Sequence, residues 1–284
     1  MDEKDLLVVP TVKFVPFRKD NVLPFFSTAF RITDPDLKIS AASAFYPTMA
    51  GICQNVFVKE CFTERKSLDK TYNVKGFSDL AAGDIDMYVS LASEKNLALL
   101  KQNIKELRCV PLFKDPLAIL VNCENMVRNL SLQEIKGIYT GTVQNWKDVG
   151  GTNCKINNYQ LVAESNVSRV AFNQSITTGA PANLPQSDIK TMPELVNAVG
   201  DDACGIGNIF WSYYARMYAS RQTRIISVDG SLPTSKDYPL QFDICMYFDA
   251  NNKKKLLHQF VEYLLSEEGG RLIEIAYRSE RNVK

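Results

Sequence analysis

Runs rich in β-branched and aromatic residues alternate along this chain with segments of helical periodicity, and that alternation restricts the fold to a few α/β arrangements. Leu37–Ala42, Ile85–Ala92, Leu117–Cys123, Tyr159–Ala163, Arg224–Asp229 and Phe242–Phe248 read as strands. Between them, Pro47 followed by Met49, Ile52, Cys53, Val56 and Phe57 predicts a helix that opens directly after a strand, with Pro where a missing N–H is harmless. Ser131-Leu-Gln-Glu134 is a capping box whose helix continues through Ile135, Ile138 and Tyr139 to a stop at Gly141. Leu257, Phe260, Val261, Leu264 and Leu265 repeat the apolar stripe, with Gly269-Gly270 as its expected end.

At 284 residues the chain exceeds the usual single core of ~100–150 residues, so two lobes are expected. The first 36 residues carry Pro10, Pro16, Pro24 and Pro35 and read as an extended arm, and Thr177–Thr191 reads as a surface loop. A formal net charge of +1 supplies no excess of cations for nucleic acid. No apolar run approaches the ~20 residues of a membrane-spanning helix. The hydrophilic, acidic start is unlike a secretory signal.

The seven cysteines include no C-x-x-C pair and no zinc-ligand spacing, so no metal site is expected. Cys53, Cys123 and Cys245 sit in apolar runs and read as buried free thiols. No nucleophile elbow, P-loop or H-E-x-x-H occurs, and the single histidine, His258, lies within an amphipathic helix. No catalytic residue and no cofactor is therefore assigned.

The stretch Asn129–Gly151, with its capped helix, glycine stop, Asn145-Trp146 and Gly150-Gly151 turn, closely resembles the signature of phosphate-binding proteins of ABC importers. Ala42-Ser-Ala-Phe-Tyr-Pro47, Ala82-Gly-Asp-Ile-Asp86 with Ser90, Cys204-Gly-Ile-Gly-Asn208 and Tyr238-Pro-Leu240 resemble further family turns in the family's order. The resemblance covers roughly residues 37–280. It implies a two-lobed periplasmic-binding-protein type 2 fold, with mixed sheets flanked by helices and two crossover strands near Val110–Lys114 and Tyr238–Gln241. Lobe one would be 1–112 with 241–284, carrying the arm 1–36, and lobe two 113–240. It also implies a monomer, exported to the periplasm or cell surface, with a signal peptide or lipid anchor ahead of this sequence, an ABC permease as partner and a small anion between the lobes.

The same resemblance places ligand contacts at Ser43, Ala44 and Phe45 in the loop ahead of the first helix, at Phe77 and Ser78 in the second loop, at Ser90, and in Ser165-Asn166-Val167-Ser168-Arg169. Each offers a hydroxyl, an amide or a backbone donor, although any one alone reads equally as a helix cap or turn. Three positions depart from the family pattern. Val167 stands where a glycine lets the backbone approach the anion, Val162 where an arginine faces it, and Leu91 where an aspartate accepts the proton of hydrogen phosphate. Arg169 reads either as a replacement cation or as a helix-surface or interlobe salt-bridge partner. Phe45, Tyr46, Phe77 and Tyr88 read first as core and alternatively as the lining of a pocket for a larger organic ligand. Two functions follow: a binding protein with an altered anion site, or a sensing or interaction module that has lost phosphate binding.

Overall fold

The computed structural model describes residues 6–33, 35–161, 166–177 and 189–278. In chain order the elements are β1 (Leu6–Val8), β2 (Ile39–Ala42), α1 (Tyr46–Val56), β3 (Leu68–Thr71), α2 (Asn73–Ala82), β4 (Met87–Ser90), α3 (Glu94–Asn103), β5 (Leu107–Asn122), β6 (Asn129–Leu130), α4 (Leu132–Thr140), β7 (Asn157–Asn158), α5 (Val167–Ser175), α6 (Met192–Gly200), β8 (Gly205–Phe210), α7 (Trp211–Arg216), β9 (Tyr218–Ser220), β10 (Thr223–Val228), β11 (Gln241–Asp249), α8 (Lys255–Leu265) and α9 (Glu267–Arg278). The chain folds as two compact units, Val9–Lys114 with Asp243–Lys284, and Met1–Val8 with Asp115–Phe242.

In the first unit β2 runs parallel to β3 and β4, and β11 is antiparallel to β4. Every residue of β2 and β4 is buried, which is what a strand covered on both faces requires. Phe77 lies 4.9 Å from Tyr88 and 5.2 Å from Tyr247, edge to face with both. Gly76 lets α2 approach this cluster, since a Cβ there would lie 2.2 Å from the Tyr88 ring. Gly269 plays the same part between α8 and α9, where a Cβ would meet the Tyr263 carbonyl oxygen. Gly269-Gly270 therefore does not end the C-terminal helical region. Helix α8 stops at Leu265, and both glycines fall inside the first turns of α9.

The second unit is built on β5, antiparallel to β8 and β10, with β7 parallel to β8 and β6 parallel to β10. Its core joins Leu117–Val121 to Ile206, Ile209, Leu195 and Val199. The capping box of α4 forms, with Ser131 and Glu134 satisfying each other's backbone donors and Gly141 in the left-handed conformation. The following turn is equally constrained. Asn145 Oδ1 accepts from the amides of Lys147 and Cys154, and buried Trp146 donates its indole N–H to the Cys204 carbonyl at 2.9 Å.

Several expectations are corrected here. Tyr159–Leu161 is not a strand, because pairing with β8 is confined to Asn157–Asn158. Residues 162–163 and most of the expected loop, 178–188, lie outside the described residues. Cys154 and Cys204 form a disulfide, so the cysteines are not all free. Cys53 and Cys245 are buried thiols as expected, whereas Cys123 is exposed in the turn that follows β5. The start of the arm also departs from the expectation. β1 pairs with β9 and belongs with Asp115–Phe242, while residues from Val9 onward belong to the other unit. There Phe14 and Val15 are buried, and Gln54 and Asn55 of α1 accept from the amides of Phe17 and Phe26.

Candidate functional site

Parallel pairing of β2 with β3 and β4 brings three strand-to-helix connections to one edge of the first unit: Ser43–Phe45 after β2, Tyr72-Asn73 after β3 and Leu91-Ala92 after β4. This carboxyl-terminal edge is where open α/β sheets hold ligands. No side chain caps the start of α1 or α2, and neither helix has an acidic residue in its first turn. Helix α3, by contrast, carries the Ser93 cap and Glu94. The amino-terminal N–H groups and positive dipole ends of α1 and α2 therefore suit an anion.

Ser43 is half-buried in the turn before α1, and Ala44 and Phe45 are buried beside it. Phe45 packs its ring against Phe113 at 5.9 Å, so its possible contribution to a ligand is through the backbone. Ser90 is buried, and its hydroxyl donates to Asn73 Oδ1. Asn73 in turn donates to the Leu91 carbonyl at 3.2 Å. This network fastens the start of α2 to the end of β4, and it makes Ser90 a positioning group.

Phe77 and Ser78 are not in a loop. Helix α2 begins at Asn73, so both lie in its middle, Phe77 wholly buried and Ser78 exposed with its hydroxyl donating to the Val74 carbonyl at 3.1 Å. Asn73 is the residue at that edge which the sequence reading missed. The apolar spacing Phe77, Leu80 and the glycine stop at Gly83 would have traced the helix back to it. Phe45, Tyr46, Phe77 and Tyr88 are all buried in the core, the first of the two readings given to them.

Helix α5 belongs to the second unit. Asn166 caps it, its Oδ1 accepting from the Ser168 amide at 3.0 Å. Ser168 is fully buried, and its hydroxyl has no hydrogen-bond partner among the described residues. A buried hydroxyl left unpaired costs ~1–3 kcal/mol, so a native chain keeps one where something else completes it. Val167 is buried, while Arg169 is half-buried, donates to Gln160 Oε1 and holds its guanidinium 5.7 Å from the Phe172 ring centre. Val162 and Ser165 lie outside the described residues.

His258 accounts for no chemistry here. Its ring contacts the Asn252 carbonyl at 2.6 Å, and Asn252 Nδ2 donates to Asp86, which also pairs with Lys254 at 2.7 Å. That cluster ties the start of α8 to the segment leading into β4. Among the described residues no group of three His, Cys, Asp or Glu side chains is placed to hold a metal ion, and no helix is long and apolar enough to cross a membrane.

Comparison with known proteins agrees with the fold. Residues 31–268 match the family described as a PBP superfamily domain. The phosphate-binding protein PstS of Bacillus subtilis is 28% identical over 158 residues, covering 54% of this chain and 50% of that protein. PstS of Borreliella burgdorferi is 25% identical over 171 residues, 56% of this chain and 61% of that protein. The matched stretches thus span between half and two thirds of these relatives' lengths. Among solved structures, a phosphate ABC transporter substrate-binding protein with bound phosphate from Clostridium perfringens superposes with a TM-score of 0.65 at 20% identity, covering 85% of this chain and 97% of that one.

Proposed function

The chain belongs to the PBP superfamily, and from that premise we propose that it is an extracytoplasmic solute-binding protein that takes a small oxyanion. The observation that carries this reading is the Ser168 hydroxyl, buried and unpartnered at the start of α5. It is a donor waiting for an acceptor, beside backbone N–H groups that favour negative charge. The uncapped starts of α1 and α2, in the unit Val9–Lys114 with Asp243–Lys284, offer the same chemistry. The ligand class is that of the relatives' names, phosphate, and a permease in the membrane is the partner the family relation points to.

A second reading, a sensing or interaction module without a phosphate site, is favoured by Val167 and Leu91. A β-branched side chain narrows the approach to the α5 backbone, and the Leu91 side chain offers no acceptor to a ligand's own O–H.

Calorimetric titration of phosphate into the wild-type chain and the Ser168→Ala variant separates the two. The variant removes a hydrogen bond to an anion worth ~1.5–3 kcal/mol, so affinity falls roughly 10- to 150-fold. Its ligand-free thermal stability stays within about 0.5 kcal/mol of wild type, because no hydrogen bond to a described residue is lost. Equal affinities for wild type and variant reject the role given to Ser168, and no heat from either favours the second reading.

A further inference from the structure

In the unit Val9–Lys114 with Asp243–Lys284, one face of the sheet carries four hydroxyls at the edge where α2 begins. Ser40 stands directly opposite Tyr88 in the parallel pair β2–β4, and Ser90 follows Tyr88 by two residues, so these three side chains leave the same face. Thr71, the last residue of β3, joins them through its hydroxyl, 2.9 Å from that of Ser40. The ring of Tyr88 is core, packed edge to face on Phe77 at 4.9 Å. Its far end reaches the first turn of α2, where a Cβ at Gly76 would collide with Cζ, the atom that bears the hydroxyl.

The protons of this cluster can be followed one by one, since each hydroxyl has a single O–H to give. Ser40 donates to the Asp69 carbonyl at 3.2 Å, which leaves Thr71 as the donor to Ser40, and Ser90 donates to Asn73 Oδ1. The Tyr88 hydroxyl is buried and has no hydrogen-bond partner among the described residues. Burial pushes the phenol up, against the Thr71 and Ser90 hydroxyls beside it, so its proton stays in place at neutral pH. A buried hydroxyl without a partner is destabilising, and phenylalanine would supply the same ring without that cost. The oxygen at this position therefore calls for an acceptor.

We propose that the Tyr88 hydroxyl is a further ligand-binding group, donating its hydrogen bond to an oxyanion held at the start of α2. This inference rests on the oxyanion reading given above and adds to it a residue of the first unit. The start of α2 has no side-chain cap and no acidic residue in its first turn, so its backbone N–H groups and the phenol offer donors to the same negative charge. A neutral donor that meets an ionised oxygen makes the stronger, charge-assisted kind of hydrogen bond. Because Tyr88 gives a proton and asks for none, it favours phosphate and sulfate alike.

The test is calorimetric titration of inorganic phosphate and of sulfate into the intact wild-type chain and into Tyr88→Phe, with the ligand-free unfolding temperature of each measured alongside. The variant keeps the ring that packs on Phe77 and removes one oxygen. Both affinities are expected to fall by roughly tenfold or more, and by the same factor, while the unfolding temperature does not fall. Wild type and variant binding phosphate equally well would overturn this inference and leave the oxyanion reading standing. A wild-type chain that takes up neither anion removes both. A loss of affinity matched by a lower ligand-free unfolding temperature assigns the hydroxyl to the fold, and that result also overturns the proposal.

Discussion

At position 91 a leucine carbonyl accepts from Asn73, while the side chain has nothing to offer a ligand's proton. A site built to accept that proton rejects an analogue lacking it by ~10⁴-fold or more, because the buried acceptor is then left unpaired. Without such an acceptor the discrimination collapses, so phosphate and sulfate are expected to bind within about tenfold of each other. Competition calorimetry at neutral pH checks this, and a preference for phosphate of a thousandfold would show that another acceptor does the work. At the residue scale it is the family resemblance that points to Ser43, Ser90 and Ser168, each a hydroxyl at a position where the family holds its ligand. It did not reach the pairing of Ser90 with Asn73, which depends on where β4 ends relative to α2. Nor could it separate a committed hydroxyl, Ser90, from an unpartnered one, Ser168. That difference lies wholly in tertiary surroundings.

Helices announce themselves through their caps, and this explains which elements were legible. α4 has a capping box and a left-handed glycine, and its sequence boundaries match the structure. α2 has a tyrosine at its cap position with no side-chain hydrogen bond, so its start was misplaced and Phe77 and Ser78 were put in a loop. The absence of a cap that hid the element is the same property that leaves its first N–H groups available. The segment Asn129–Gly151, which carries the strongest family resemblance, turns out to be scaffold. Its Trp146 anchors on the carbonyl of Cys204, and Cys204 is joined to Cys154 across 50 residues. Closing a loop of that length is worth about 4 kcal/mol in the chain-entropy account, so Cys154→Ser should lower unfolding stability by roughly 2–4 kcal/mol. Denaturant titration under oxidising conditions measures this. A loss below about 0.5 kcal/mol would mean that the turn holds itself without the bridge.

Over the whole molecule the chain passes between its two units three times, at Val8–Val9, at Lys114–Asp115 and at Phe242–Asp243. The last two passages fall inside β5 and β11, whose apolar runs are visible in the sequence. The first depends on β1 pairing with β9, some two hundred residues away in sequence, and no local pattern encodes it. The α/β class was legible because alternation is a local property. Its consequence for function comes from both units presenting helix starts free of acidic residues, α1 and α2 on one and α5 on the other. The most direct test of an anion-binding protein is thermal unfolding of the intact chain in rising phosphate, sulfate, phosphonate and small carboxylates. The account predicts stabilisation that grows with the logarithm of concentration for at least one oxyanion, reaching about 2.7 kcal/mol at a hundred times its dissociation constant. An unfolding temperature that no oxyanion moves, even at millimolar concentration, would contradict it.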